Sequence, residues 1–136
     1  MSSATQTCVA IIDDDDSVCR SLSRLLRVVG IQAVSYPSAE RFLSDSKRPR
    51  FDCLVIDIQL SDMSGSELNR RLTALGLTTP VIFNTASDEP DIREQALQTG
   101  CAAYLHKIES GKSILAAISQ AIHSGSEKGR SSSTGL

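Results

Sequence analysis

The chain has 136 residues, of which 40% are hydrophobic and 22% are charged, and this balance predicts one soluble globular domain with its own core. Its net charge of −2 gives no electrostatic basis for binding nucleic acid or an anionic membrane. The sequence contains no apolar run of membrane-spanning length, and residues 1–7 lack the pattern of a secretion signal. We therefore expect a cytoplasmic protein that binds neither nucleic acid nor membrane directly.

The cysteines and histidines do not form a metal-binding pattern. The four cysteines contain no C-x-x-C pair, and three of them lie in apolar surroundings, which favours reduced, buried thiols over disulfides or a zinc site. The two histidines lack the spacing of metal ligands. The cysteines are Cys8, Cys19, Cys53 and Cys101, and the histidines are His106 and His123.

From the N-terminus onward, short apolar or alternating runs are followed by segments in which apolar residues recur at helical spacing. The predicted strands cover residues 8–12, 31–35, 53–56, 80–83 and 102–105. The apolar faces of the predicted helices lie within residues 18–29, 37–44, 66–75, 90–99 and 114–122. Gly30 and Gly76 stand where helix-ending residues are expected. Ser87 is typical of a helix cap, and it is followed by the acids Asp88 and Glu89 and by Pro90 at the start of the predicted helix.

Five strands that alternate with five helices indicate a doubly wound α/β fold. The connections have the length of right-handed βαβ crossovers, so we predict a parallel five-stranded sheet with helices on both faces. We expect the flavodoxin-like strand order 2-1-3-4-5, which places the first strand beside the third. We predict an N-terminal arm at residues 1–6, one domain at 7–123, and a disordered tail or linker stub at 124–136, which lacks apolar periodicity.

Polar side chains follow four of these strands at the edge where ligands bind in open α/β sheets. Asp13 and Asp14 follow the first strand, Asp57 the third, Thr85 the fourth and Lys107 the fifth. Clustered carboxylates repel one another and attract a cation, and hard oxygen ligands favour Mg²⁺. A divalent ion among them also attracts phosphoryl oxygens, to which Lys107 and Thr85 can donate, so Asp57 is a candidate nucleophile that would form an aspartyl phosphate.

Each of these residues also has an ordinary structural interpretation. The acidic run 13–16 could cap the first helix and complement its dipole, which we assign to Asp15 and Asp16. Thr85 and Lys107 could be simple strand ends. The joint occurrence of suitable groups at one edge of the inferred sheet favours a functional site.

Four motifs together resemble the receiver domain of two-component response regulators, and the resemblance covers about residues 7–123. The motifs are IIDDDDSV at 11–18, VIDIQLSDMSG at 55–65, FNTA at 83–86 and AYLHK at 103–107. The run DMSGxEL is most similar to receivers that precede a LuxR-type helix-turn-helix domain. The resemblance implies a phosphoacceptor signalling domain that uses Mg²⁺, promotes only its own phosphorylation and dephosphorylation, and is otherwise not an enzyme.

The resemblance also implies a role for each site residue. By this resemblance, Asp57 is the phosphoacceptor. Asp14 binds Mg²⁺ directly, Asp13 binds it through water, and Asp57 and the Gln59 backbone carbonyl are further ligands. Thr85 is the switch hydroxyl, Lys107 is the phosphate-binding lysine, and Tyr104 is the rotameric switch. Phosphorylation would shift a two-state equilibrium at the face formed by the fourth helix, fifth strand and fifth helix. The implied partners are a sensor histidine kinase or phosphotransfer protein and an effector protein or a missing effector domain, with homodimerisation an option on phosphorylation.

Two positions depart from the family pattern, which usually has proline where this chain has Ser61 and Ile108. Ile108 strongly favours a trans peptide bond, so we expect the loop that presents Lys107 to differ from that of relatives with a cis proline. Asn84 is polar within a buried strand and needs a partner if it is enclosed. Gln59 and Ser87 lie where receivers tune the access of hydrolytic water.

Three other functions fit parts of the sequence. A degenerate receiver could act as a protein-binding module that does not depend on phosphorylation, as Ser61 and Ile108 suggest. A phosphatase of the haloacid dehalogenase type would use an aspartate nucleophile, but it has a second acid where this chain has Gln59. A flavodoxin-like nucleotide binder would need a glycine-rich loop after the first strand, and none is present there.

Overall fold

The computed structural model describes residues 6–87, 89–107 and 111–133, with side chains as far as residue 124. Strands and helices alternate along the chain as predicted. In order they are β1 (Cys8–Ile12), α1 (Asp16–Val28), β2 (Gln32–Tyr36), α2 (Ala39–Ser44), β3 (Cys53–Ile56), α3 (Gly65–Ala74), β4 (Val81–Thr85), α4 (Pro90–Gln98), β5 (Ala103–His106) and α5 (Gly111–Ser133).

The five strands form one parallel sheet in the order β2-β1-β3-β4-β5. This confirms the predicted doubly wound fold and its strand order. Every residue of β1, β3 and β4 is buried, which explains why β1, β3 and the first three residues of β4 read as continuous apolar runs rather than alternating ones.

Helices cover both faces of the sheet, so the core has two layers. One layer packs side chains of α2, α3 and α4, such as Phe42, Leu68 and Ala96, against the sheet. The other packs α1 and α5, through residues such as Leu26 and Ile118, against the opposite face. All four cysteines are free, as predicted, and only Cys101 is not fully buried.

Several helix ends follow directly from local sequence. Gly30 ends α1 with a φ of 82°, a conformation that residues with a Cβ rarely adopt. The helix α2 begins two residues later than predicted, because Ser38 is its N-cap and accepts the Arg41 N–H at 3.1 Å. The N-cap of α4 is Glu89, which makes no side-chain capping bond, and not the predicted cap residue Ser87. The Ser87 hydroxyl oxygen instead accepts the Glu89 N–H at 3.2 Å. Asp88 lies outside the described residues.

The C-terminal end differs most from the sequence prediction. An irregular tail was expected from residue 124, whereas α5 continues to Ser133. Residues 111–133 contain no proline that would break the helix, and the helix extends beyond Ile122, where the apolar periodicity ends. Most of the predicted N-terminal arm and residues 134–136 lie outside the described residues. Within the described part of the chain, no helix is both long and apolar enough to cross a membrane.

Candidate functional site

Three aspartates meet at the carboxyl ends of β1 and β3. The two strands are neighbours in which Ile12 pairs with Ile56, so Asp13 and Asp57 leave the sheet at the same level. The Asp57 N–H donates to the Ile12 carbonyl at 2.9 Å, which fixes the start of the loop after β3. Carboxylate oxygens of Asp13, Asp14 and Asp57 all lie within 4.8 Å of one another. The structure thus brings together the three acids that the sequence placed at two strand ends.

Burial distinguishes the members of this cluster. Asp13 and Asp57 are only 3% and 6% exposed, whereas Asp14 faces solvent. Burial raises the pKa of Asp13 and the nearby Asp57 carboxylate adds to the rise, while hydrogen bonds from the Asp15 N–H and from Lys107 oppose it. The cluster therefore combines two buried carboxylates with one carboxylate accessible to water.

Lys107 supplies the countercharge for the two buried acids. Its Nζ lies 3.0 Å from Asp13 Oδ2 and 3.1 Å from Asp57 Oδ2. Burial alone would lower the pKa of Lys107, but the hydrogen bonds and charges of Asp13 and Asp57 outweigh it, and the pKa is raised. The backbone of Lys107 is held where β5 ends, because its N–H donates to the Thr85 carbonyl at 2.8 Å. The ammonium thus stays charged and lies directly beside Asp57.

The loop between β3 and α3 folds back on the Asp57 backbone. Gln59 donates its N–H to Asp57 Oδ1 at 3.1 Å, and Gln59 and Ser64 form an antiparallel bridge. The Gly65 N–H then donates to the Ile58 carbonyl at 2.7 Å. A Cβ at Gly65 would lie 2.6 Å from the Asp57 carbonyl oxygen and 2.9 Å from Ile58 Cα. This close approach requires glycine. This contact was not predicted from the sequence, where Gly65 appeared only as the last residue of the motif at 55–65.

Thr85 and Tyr104 occupy the β4–β5 side of the site. Thr85 is fully buried, and its Oγ1 accepts the Ser87 N–H at 3.1 Å. Strand pairing joins Phe83 to Tyr104, so Tyr104 lies on the same face of the sheet as Thr85. Tyr104 is half-buried, and the Arg93 guanidinium of α4 lies 5.6 Å from its ring centroid. Thr85 therefore connects the site to α4 through Ser87, and Tyr104 contacts the same helix.

The sequence singled out Asn84 as a polar residue in a buried strand and Ile108 as a departure from the family pattern. Asn84 is buried on the opposite face of β4 and borders a cavity of about 310 Å³, which Lys107 and Leu22 also line. A cavity of this size can hold water, which provides hydrogen-bonding partners for a buried amide. Ile108 lies outside the described residues.

Comparison with known proteins identifies a common family. The chain matches the response regulator receiver domain family over residues 9–119. It is 32% identical over 114 residues to the response regulator protein TodT of Pseudomonas putida, covering 84% of this chain and 50% of TodT. It is 33% identical over 122 residues to the transcriptional regulatory protein FixJ of Azorhizobium caulinodans, covering 90% of this chain and 58% of FixJ. The chain thus spans about half the length of these curated relatives.

Solved structures show the same fold. The crystal structure of FixJ-N superposes with a TM-score of 0.80 at 31% identity, over 88% of this chain and 95% of that one. A CheY-like receiver domain protein from Methanospirillum hungatei reaches a TM-score of 0.85 over 91% of this chain and 99% of its own, at 22% identity, which indicates a shared fold alone. The family match, these similarities and the sheet order show that the chain belongs to the response regulator receiver domain family.

Proposed function

We propose that this receiver domain accepts a phosphoryl group on Asp57 in a Mg²⁺-dependent reaction. The observation that carries the proposal is the environment of the Asp57 carboxylate, which lies 3.1 Å from the Lys107 ammonium and within 4.8 Å of oxygens of Asp13 and Asp14. A carboxylate nucleophile with a fixed cation on one side and further oxygen ligands on the other is suited to phosphoryl transfer.

The donor set fits Mg²⁺. All three side chains offer carboxylate oxygens, the hard ligands that this ion prefers, and exposed Asp14 leaves room for the waters it retains. Asp14 and Asp57 would bind the ion directly, Asp13 through water, and the Gln59 backbone carbonyl would complete the protein ligands. When bound, the ion neutralises negative charge on the transferred group and brings its oxygens to the nucleophile.

The residues of the chain have distinct tasks in the transfer. The Gln59 N–H holds the Asp57 carboxylate in orientation. An Asp57 oxygen forms a bond to phosphorus while the phosphorus–nitrogen bond of a donor phosphohistidine breaks, and the electron pair stays on the imidazole nitrogen. Lys107, already beside Asp57, stabilises the phosphoryl oxygens after transfer. The donor is a sensor histidine kinase or a phosphotransfer protein.

The response to phosphorylation begins at Thr85. A phosphoryl group adds roughly −1.5 to −2 charges, and the Thr85 hydroxyl turns from the Ser87 N–H toward the new oxygens. This motion leaves space for Tyr104 to turn inward and changes the surface of α4, β5 and α5. That surface controls an effector protein or an effector domain and can support a homodimer.

The other candidate functions lack a supporting observation. The comparisons give no support to a degenerate receiver, and Asp13, Asp14, Asp57 and Lys107 all lie at one site. Gln59 cannot serve as the second acid of a haloacid dehalogenase-type phosphatase. Receiver domains are generally not catalytic enzymes.

The test is the intact mass of the protein after incubation with acetyl phosphate, with and without Mg²⁺. We expect one added phosphoryl group on the wild type with Mg²⁺, and none on Asp57→Asn, because an amide is not a nucleophile for this reaction. Asp16→Asn is the matched control, since Asp16 is an exposed acid of α1 whose carboxylate pairs with Arg20 of the same helix. An acid-labile phosphate on Asp57→Asn, or no adduct on the folded wild type, would contradict the proposal.

A further inference from the structure

Asp62 lies at the tip of the loop between β3 and α3 but binds a different helix. Its Oδ2 accepts the Glu40 N–H at 2.8 Å and its Oδ1 accepts the Ala39 N–H at 3.3 Å. These are the first two N–H groups of α2, more than 20 residues earlier in the chain. The third belongs to Arg41 and is bound by Ser38. Asp62 therefore connects the phosphoacceptor loop to the start of α2.

The base of this loop is closed by its own backbone, whereas its tip is held by contacts with other elements. The Gly65 N–H bond to Ile58 and the bridge between Gln59 and Ser64 close the base. Between them, Ser61 and Asp62 are exposed. Without the bonds of Asp62 to α2, the tip would depend on Leu60 and Met63, which pack against the core. The Gln59 carbonyl belongs to the peptide bond with Leu60, where the base passes into the tip, so the path of the tip influences the direction of this carbonyl.

The start of α2 is also close to the support of Asp13. The Asp13 N–H donates to the carbonyl of Tyr36, the last residue of β2, at 3.1 Å. Ala39, whose N–H binds Asp62, follows three residues later and is fully buried. The segment from Tyr36 to Ala39 therefore supports one acid of the cluster at one end and the phosphoacceptor loop at the other.

We propose that Asp62 is a positioning residue for the ion site: by holding the loop against α2, its carboxylate fixes the Gln59 backbone carbonyl relative to Asp13 and Asp57. This inference rests on the proposed function, because the Gln59 carbonyl is an ion ligand only there. Outer partners that orient metal ligands affect affinity even though they never touch the ion. Asp62 acts at a greater distance, through the backbone of its own loop.

The experiment compares Mg²⁺ binding by Asp62→Ala, Asp62→Asn, Ser38→Ala and the wild type, by isothermal titration calorimetry on the full chain. We expect Asp62→Ala to bind Mg²⁺ about tenfold more weakly, the lower end of the effect of partners that orient metal ligands. Asp62→Asn keeps one acceptor oxygen and should recover part of the affinity. Ser38→Ala removes the other cap of α2 and should bind Mg²⁺ like the wild type. The Mg²⁺ concentration for half-maximal phosphorylation by acetyl phosphate should follow the same order.

Four results would overturn the inference. Unchanged Mg²⁺ affinity in folded Asp62→Ala would make Asp62 a helix cap only. If Ser38→Ala bound Mg²⁺ as weakly as Asp62→Ala, the effect would come from the stability of α2. If Asp62→Asn and Asp62→Ala bound Mg²⁺ equally weakly, the effect would come from the charge of Asp62. A wild type that binds no Mg²⁺ would overturn the proposed function as well, so the two failures are distinguishable.

Discussion

The two sides of the site are built differently. On the β1–β3 side, both strands are completely buried, and the backbone N–H groups of Asp13 and Asp57 donate to the adjacent strand. On the β4–β5 side, β5 is an edge strand of half-buried residues, and α4 buries only Ala96. The helices differ likewise, because Asp15 caps α1 by accepting two backbone N–H groups, whereas the α4 cap Glu89 makes no side-chain bond.

This difference suits the β1–β3 side to phosphoryl transfer and the β4–β5 side to the conformational response. Phosphoryl transfer needs its nucleophile and ligands held in fixed geometry, which the buried strands provide. A switch needs an element with few buried contacts, because such elements rearrange at low free-energy cost. The described part of the chain therefore places the acids on its most rigid strands and the candidate switch residues, Thr85 and Tyr104, next to its least anchored helix.

The largest expected effect on the rigid side is that of Gly65→Ala. Its Cβ would lie 2.6 Å from the Asp57 carbonyl oxygen, and backbone atoms on both sides cannot move without disturbing β3. We expect a loss of about 3 kcal/mol in the free energy of unfolding, the upper end for overpacking, together with loss of phosphorylation. Urea denaturation measures the first and intact mass the second.

Gly111→Ala is the matched control. A Cβ there would meet the flexible end of Leu25 at 3.0 Å, which can move aside. If the two variants were equally stable, the close approach of Gly65 to the Asp57 backbone would not constrain the loop.

A smaller loss of stability is expected from a substitution in α3 that removes the hydrogen bonds anchoring the end of α4. The buried Asn69 amide of α3 donates to Thr99 Oγ1 at 3.0 Å and to the Gly100 carbonyl at 3.1 Å, just after α4 ends. Asn69→Ala removes these donors, so we expect about 1–3 kcal/mol lower stability, the range for leaving a buried polar group unpaired. Amide hydrogen exchange should also accelerate throughout α4. The Asn69 bonds hold the C-terminal end of this helix, whereas the cap at its N-terminal end has no side-chain bond.

The exposed Gln98→Ala in the same helix serves as the control, with an expected change within about 0.5 kcal/mol. Unchanged exchange in α4 of Asn69→Ala would show that this helix is anchored by other contacts.

The smallest expected effect is a gain in stability, and it comes from Asp13→Asn. Burial raises the pKa of Asp13 above its ordinary value of 3.8, so the folded state holds this proton more tightly than the unfolded state. The stability linked to that proton is fully present below the ordinary pKa and is lost as the pH rises through the raised one. Asp13→Asn should therefore be more stable than the wild type at neutral pH without Mg²⁺.

This advantage of Asp13→Asn should disappear as the pH falls below about 4, where the aspartate is protonated in both states. Denaturation midpoints across this pH range measure it. A variant less stable than the wild type at neutral pH would show that Asp13 stabilises the fold through its pairing with Lys107.

The fold could be predicted from the sequence because the signals for its strands and helices are local. Continuous apolar runs in β1, β3 and β4 and glycines after helices determine the elements, and the alternation of strands and helices determines the sheet. The sequence also placed Asp13, Asp57 and Lys107 at one edge, since strand ends in a parallel sheet meet there. The predicted convergence of these residues is what the structure shows.

The remaining features depend on contacts between distant segments. Asp62 reads as a turn residue in the sequence, and its bonds to α2 appear only once the loop is folded against that helix. The clash that excludes a Cβ at Gly65 involves backbone atoms seven and eight residues earlier. The continuation of α5 to Ser133 has no apolar periodicity to signal it.

The central claim is that one side of the site stays fixed while the other responds, and amide chemical shifts test it most directly. Beryllofluoride with Mg²⁺ mimics the phosphoryl group, and ¹⁵N spectra with and without it report the change at every backbone amide. We expect larger shifts in α4 and β5 than in β2 and α2, and no shifts in Asp57→Asn. Shifts in β2 and α2 that equal or exceed those of α4 and β5 would contradict the account.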